Sequence, residues 1–279
     1  MKTVDLHTHS NISDGSMTPE ELMRHAAACG LSAVALTDHD TIDGIARARQ
    51  AALQAHIEFI PGIEFAAYYK DREVHIVGLF INEQTPEFID AVQQTAADRD
   101  ARNGAMIQKM REAGIDITLE ALHKEEGRGV LTRANFASCL VRRGIVSSNQ
   151  EAFDKYLGKD KPFYVPRKKL KPEDAIRRIH EAGGIAVLAH PLLYHFTDTQ
   201  LDQCVCDLKA MGIQALEAYY SKNGLFDTDR MKKLADKYGL YYSGGSDFHG
   251  TYKPDIEIGK GRGDLVVPYE VLEKLKTLL

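Results

Sequence analysis

Seven short apolar runs alternate with amphipathic segments along most of the chain. Several runs are continuously apolar, which is typical of strands that are buried on both faces. Helix signals lie between them. For example, "TPEE" at 18–21 predicts a helix start with Pro19 at the first helical position, and Gly30 predicts the end of the same helix. The pattern predicts a mainly parallel α/β sheet, open or closed into a barrel. The runs are TVDLH (3–7), SAVALT (32–37), IEFIPGIE (57–64), EVHIVGLFI (73–81), GIAVLAH (184–190), IQALEAYY (213–220) and LYYSGGSD (240–247).

Residues 84–165 interrupt this alternation. They contain long helical stretches and almost no strand signal, and the earlier rhythm returns near "PFYVPRK". We therefore predict that residues 1–83 and 166–279 form one domain and that residues 84–165 are a helical insertion in it. The insertion would act as a lid or as the wall of a substrate site.

Composition narrows the function classes. The 279 residues carry a formal net charge of −5, which argues against a nucleic-acid coat protein. A local basic cluster, "RKKLK" at 167–171, would line an anionic pocket or form a solvated charged face. We find no run of about 18 apolar residues and no secretory signal, and the spacing of the four cysteines fits reduced thiols. We therefore expect a cytoplasmic protein.

Histidines and carboxylates gather at or near the ends of the apolar runs. In a parallel barrel the carboxyl ends of the strands open at one mouth, so these groups would meet there. Imidazoles mixed with carboxylates suit zinc, manganese or iron, and so many candidates suit two or three ions that share bridging ligands. Asp38 and Asp40 flank one candidate histidine and would orient imidazoles. The candidate ligands are His7, His9, Asp14, His39, Glu64, His75, His190, Asp247 and His249.

The motifs that hold these residues resemble those of the PHP (polymerase and histidinol phosphatase) superfamily of metal-dependent phosphoesterases. They are "DLHTHSNISDG", "ALTDHDT", "PGIE", "VHIVG", "LAHP" and "GGSDFHG", and they span residues 5–250. The resemblance implies a distorted seven-stranded TIM-like (β/α)7 barrel. It also implies a trinuclear metal site with the same nine ligands, of which Asp14 and His39 would also serve catalysis.

Within the superfamily the chain is similar to small bacterial nucleotide phosphatases that carry a helical insert. Their "TRxHFA" motif reads "TRANFA" here, so Arg133 takes the anion-binding position and Asn135 replaces a histidine. Their "HPGRY" reads "HPLLY", which removes a possible phosphate contact. We expect Arg133, Asn135, Tyr194 and Lys222 to bind substrate, although Arg133 also fits a surface helix. His195 and Tyr194 are the candidates for the leaving-group acid.

The function predicted is hydrolysis of a phosphomonoester of a nucleotide or similar small molecule. A metal-bridging hydroxide would attack phosphorus in line. Three alternatives stay open: a phosphodiesterase acting on cyclic phosphates or short oligonucleotide ends, a histidinol-phosphate phosphatase, and a non-catalytic metal-binding module. We infer no membrane association and no obligate protein partner.

Overall fold

The computed structural model describes residues 2–126, 130–166 and 170–279 of the chain, and its centre is a seven-stranded sheet. The strands follow one another in chain order around the sheet. The first and last strands also meet, because the amide of Leu6 donates to the carbonyl of Gly244 at 3.1 Å. The sheet is therefore a nearly closed barrel, as predicted. Its strands are β1 (Val4–Asp5), β2 (Ala33–Leu36), β3 (Glu58–Tyr69), β4 (Arg72–Leu79), β5 (Ile185–Leu188), β6 (Ala215–Tyr220) and β7 (Tyr241–Gly245).

Strand β4 runs against the direction of the other six. It pairs antiparallel with both β3 and β5, whereas the remaining neighbours are parallel. Its beginning, not its end, therefore lies at the mouth where the other strands finish. This reversal explains why His75 stands near the start of its apolar run, while the other candidate ligands stand at or after the ends of theirs.

The helices begin where the sequence signals place them. Thr18 and Glu21 form a reciprocal capping box, and Gly30 follows the first helix at φ +80°, a conformation that favours glycine. The helices are α1 (Pro19–Ala28), α2 (Ile45–Gln54), α3 (Pro86–Glu112), α4 (Leu119–Glu126), α5 (Arg133–Arg142), α6 (Asn149–Ala152), α7 (Pro172–Glu181), α8 (Asp198–Ala210), α9 (Leu225–Lys237) and α10 (Tyr269–Lys276).

Strands β3 and β4 form a long hairpin whose two faces differ. Successive side chains of a strand point to opposite faces, so alternate residues share an environment. One face of the hairpin, with Phe65, Tyr69 and Ile76 on it, is part of the buried apolar core. The other face carries Glu64 and His75 and looks toward the barrel mouth.

The helices between β4 and α7 have an apolar core of their own. Met106, Phe136 and Leu140 are among its fully buried members, and the core includes residues from α3 to the π-helical turn Phe153–Leu157. A buried ion pair between Arg99 of α3 and Asp40 ties these helices to the loop after β2. Of the basic cluster at 167–171, positions 167–169 lie outside the described residues. Within the described ranges, every helix is too short or too polar to cross a membrane.

Candidate metal centre

Glu64 lies at the centre of a ring of imidazoles at the barrel mouth. Its two carboxylate oxygens are within 3.3 Å of nitrogens from five histidines, and Glu64 itself is 1% exposed. A carboxylate in this position is suited to bridge ions that the surrounding imidazoles also bind. The five histidines are His7, His9, His39, His75 and His190.

A second part of the cluster is formed by the residues that follow β1 and β7. Asp14 lies 3.2 Å from Nε2 of His249, and Asp247 lies 3.4 Å from Nδ1 of the same imidazole. Asp247 also lies 3.4 Å from Nε2 of His9. All nine residues that the sequence selected are therefore brought together at one rim, although they come from six strands or strand ends.

The donor atoms fit metal ions. Four overlapping groups of them lie close enough for each group to coordinate one ion. Several buried nitrogens of His7, His9, His39 and His190 have no hydrogen-bond partner among the described residues, which is costly unless something else binds them. The groups are His9–Asp14–His39–His249, His7–Glu64–His190, His7–His9–Asp247 and His39–Glu64–His75.

The electrostatics of the cluster also call for cations. Burial opposes protonation of His9 and His75, but the neighbouring carboxylates outweigh it and raise the pKa of His9 to about 9 and that of His75 to about 10. Burial would raise the pKa of Glu64, yet the imidazoles around it hold that pKa well below its usual range. The carboxylates thus attract positive charge, which bound metal ions would supply in place of protons.

Further buried groups hold the candidate ligands and were not selected from the sequence. Glu217 of β6 lies 3.0 Å from Nδ1 of His7 and accepts the backbone N–H of His190 at 2.7 Å. In the sequence Glu217 is part of an ordinary strand pattern. Only its buried position in the folded protein identifies it as a residue that holds candidate ligands. It fixes which nitrogen of His7 faces the cluster.

Asp247 is held in a similar way from the other side. Its Oδ2 accepts the hydroxyl of Tyr220 at 2.9 Å and the ammonium of Lys253 at 2.7 Å. Its Oδ1 therefore remains directed at the histidines. Lys253 follows "SDFHG" by three residues, a closeness in sequence that could have suggested it.

The predicted imidazole-orienting aspartates have other partners. Asp38 accepts hydrogen bonds from the amide and hydroxyl of Ser10 and from the hydroxyl of Ser13. Asp40 pairs with Arg99. Asp38 thus fixes the backbone of the loop that carries His9 and Asp14, and acts on their position through that loop.

A cavity of about 180 Å3 runs from the candidate metal ligands to the helices that follow β4. On the barrel side, Asp14, His39 and His75 line it. On the helical side its walls are cationic and aromatic, a combination suited to an anionic ligand with an apolar ring. The lining residues on that side include Arg99, Arg102, Thr132, Arg133, Phe153 and Tyr164.

Of the residues predicted to bind substrate, Arg133 alone lines this cavity. Asn135 is buried, and its Oδ1 caps α5 by accepting from the backbone amide and the hydroxyl of Thr132. Tyr194 is also buried, where its hydroxyl donates to the Ala189 carbonyl at 2.6 Å. Lys222 is exposed on the loop after β6. His195, the other candidate acid, is exposed at φ +52°.

Comparison with known proteins identifies the family. The sequence profile of the PHP domain matches residues 5–156, which is more than half of the chain. The chain belongs to the PHP family. The PHP relationship confirms the predicted family. Together with the relatives described in the next paragraph, it makes the chain a metal-dependent phosphoric ester hydrolase.

Two characterised relatives and one solved structure resemble nearly all of this PHP protein. A 5'-3' exoribonuclease from Haemophilus influenzae is 38% identical over 96% of this chain and 97% of its own length. A 3',5'-nucleoside bisphosphate phosphatase from Chromobacterium violaceum is 36% identical over 93% and 91%. A protein described as a metal-dependent phosphoesterase, from Bifidobacterium adolescentis, superposes with a TM-score of 0.85 at 26% identity, covering 99% of this chain and 96% of that one.

Proposed function

We propose that the chain hydrolyses a phosphomonoester of a nucleotide or a similar small molecule. The observation that carries this proposal is one cavity in which the candidate metal ligands face Arg133 and two aromatic side chains, Phe153 and Tyr164. A nucleotide has an anionic phosphate and a flat base, and both find matching groups across this cavity. The named phosphatase relative, which acts on 3',5'-nucleoside bisphosphates, supports the same substrate class.

The nine clustered residues would hold two or three ions of manganese, iron or zinc. Their mixture of imidazoles and carboxylates suits these metals and disfavours a magnesium-only site. When bound, the ions would lower the pKa of a coordinated water and offset the charge that develops on the phosphate. Asp14 and His39 line both the cluster and the cavity, so they would hold their ion on the side that the substrate approaches.

The protein's own groups would orient the substrate. Arg133 would bind the phosphate oxygens through paired N–H bonds, and the aromatic rings would stack against the base. Residues 84–165, which supply these groups, would then be the substrate wall of a barrel formed by residues 1–83 and 166–279. Such an arrangement separates the chemistry on the barrel from the recognition on the insertion.

A second candidate is the removal of nucleotides from the 5' end of short RNA. The exoribonuclease relative supports it, since it is 38% identical over almost the whole chain. Both activities need the same attack of water on phosphorus and the expulsion of a sugar oxygen. They differ in the phosphate attacked, which is a terminal monoester in one case and the diester that joins the first nucleotide to the remaining RNA in the other. The cavity residues named above would serve either substrate.

A phosphate- and nucleotide-release screen of the manganese-loaded enzyme tests the proposal. The panel is 5'-AMP, a 3',5'-nucleoside bisphosphate, bis-p-nitrophenyl phosphate, histidinol phosphate and a 5'-phosphorylated RNA trimer. We expect phosphate release from the nucleotides and none from histidinol phosphate. Mononucleotide release from the trimer at a higher kcat/KM would favour the second candidate. Turnover of histidinol phosphate alone would contradict both candidates.

A further inference from the structure

Glu73 lies on the hairpin face that leads from the metal-binding residues to the inserted helices. It is directly opposite Tyr68 in the β3–β4 register, and His75 is opposite Ala66 one step nearer the barrel. Glu73 and His75 are two residues apart in a strand, so their side chains share one face. Glu73, Tyr68 and His75 all line the cavity.

The carboxylate of Glu73 contacts three side chains, those of Tyr68, Arg133 and His75. It accepts the hydroxyl of Tyr68 at 2.5 Å and lies 3.3 Å and 3.5 Å from Nη2 of Arg133 through its two oxygens. Its Oε1 is also 3.5 Å from Nε2 of His75.

These contacts assign an orientation to both His75 and Arg133. His75 directs Nδ1 at Glu64, 2.8 Å away, so its Nε2 is the nitrogen that faces Glu73. A carboxylate on the outer nitrogen of a metal-binding imidazole fixes its tautomer and ring orientation. Arg133 meets this carboxylate through Nη2 only, so its Nε and Nη1 are not occupied by Glu73.

We propose that Glu73 is a positioning residue that couples the metal centre to the phosphate-binding arginine. It holds His75 for its ion and holds Arg133 for the substrate phosphate, with Tyr68 fixing the carboxylate between them. The proposal rests on the proposed function for the roles of His75 and Arg133. An unrestrained arginine would lose more side-chain entropy on binding an anion, so the pair with Glu73 assists binding although it places a negative charge in the cavity.

Four variants separate the effect of Glu73 on His75 from its effect on Arg133. They are Glu73→Ala, Glu73→Gln, Arg133→Ala and the double variant Glu73→Ala/Arg133→Ala. For Glu73→Ala we expect roughly a 10-fold weaker retention of manganese against a chelator and roughly a 10-fold higher Kd for inorganic phosphate. Glu73→Gln keeps an oxygen acceptor and should recover part of both losses. Arg133→Ala should weaken phosphate binding and leave manganese retention unchanged.

The double variant tests the coupling itself. If Glu73 acts on phosphate through Arg133, the double variant binds phosphate as weakly as Arg133→Ala does, and the two losses do not add. Additive losses would overturn the proposal, and so would tighter phosphate binding by Glu73→Ala, since that result would make Glu73 a competitor for Arg133. Unchanged manganese retention in Glu73→Ala would overturn the proposal that Glu73 positions His75 for its ion.

Glu83→Ala is the matched control, because Glu83 also pairs with an arginine, Arg49, at 2.6 Å, but lies away from the cavity. It should change neither measurement. Metal retention and phosphate binding are both measured without turnover. The absence of phosphatase activity in the wild-type enzyme would therefore contradict the proposed function while these binding experiments still decide the role of Glu73.

Discussion

The two sides of the cavity differ in how firmly their side chains are held. On the barrel side, the side chains of His9 and Glu64 are at most 1% exposed, and each contacts several partners from other strands. On the helical side, Arg133 is 25% exposed, and its 3.3 Å contact is with Glu73 of β4, which is itself 32% exposed. The difference teaches that the candidate ion ligands form a rigid rim, whereas the proposed substrate side consists of longer side chains that can adjust.

The largest expected effect is on the rigid side. Glu64→Gln keeps the size of the side chain but removes the charge that five imidazoles surround. We expect roughly a 1000-fold loss of kcat with loss of bound metal, measured by phosphate release and by metal analysis of the purified protein. Full metal content and wild-type turnover in this variant would show that Glu64 is not central to the site.

The next largest effect is expected on the stability of the fold, at the ion pair between Arg99 and Asp40 that connects α3 to the barrel. Arg99→Ala leaves Asp40 buried without this partner in a position that is 0% exposed, so we expect a loss of about 3 kcal/mol in the free energy of unfolding. Urea denaturation measures it. Arg47→Ala is the control, because Arg47 forms an exposed pair with Glu20 and should cost under about 1 kcal/mol. Equal losses in both variants would mean that the Arg99 pair does not hold α3 to the barrel.

A smaller effect is expected on the adjustable side. Arg133→Ala should raise the KM for a nucleotide phosphomonoester by roughly 10- to 100-fold, the value of one or two charge-assisted hydrogen bonds. Its kcat should change less, and Arg133→Lys should restore part of the loss. Steady-state kinetics at saturating manganese measure both constants. A large fall in kcat with unchanged KM would instead assign Arg133 to the transition state alone.

The raised pKa values of the histidines predict a proton release. The neighbouring carboxylates raise the pKa of His9 to about 9 and that of His75 to about 10, so we expect the metal-free protein to hold protons on both at pH 8, whereas an ion binds only the neutral imidazole. Titration calorimetry with zinc in buffers of different ionisation enthalpy should therefore show protons released at pH 8 and fewer as the pH rises through 10. Heats that do not depend on the buffer at pH 8 would contradict this assignment.

The smallest effect is expected at His195. The structure places this residue exposed and outside the residues that line the cavity, so we expect His195→Ala to change kcat/KM by less than about twofold. The pH profile of kcat/KM is the deciding measurement. A loss of roughly 100-fold with a missing limb of the profile would identify His195 as the leaving-group acid.

The sequence was a good guide to the barrel and to its cluster for one physical reason. Strands that are buried on both faces are continuously apolar, so a histidine or carboxylate at the end of such a run is conspicuous. His7, His9, His190 and Asp247 could be selected in this way. Gly30 and the capping box at Thr18 were equally readable, because they depend on local backbone geometry.

The residues on the helical side of the cavity could not be predicted as well. Their positions depend on contacts between helices and strands that are far apart in the sequence. Asn135 was expected to face substrate, but it occupies the third position of a helix and caps it. Arg99 and Arg102 appear in a long polar helix and give no sign of lining a cavity until α3 is docked on the barrel. The role proposed for Glu73 was not predicted either, although its spacing of two residues from His75 would have placed both side chains on one face of a strand.

The sequence by itself determined the seven strands, the family and the set of groups that meet at the mouth, because these follow from local periodicity and from motifs of few residues. The tertiary structure alone decided the reversal of β4, the central position of Glu64 among five imidazoles and the partners of Glu73, Glu217 and Lys253. The physical reason is that hydrogen bonds and ion pairs between distant segments depend on distances of a few ångströms. Such distances are set by packing of the whole chain.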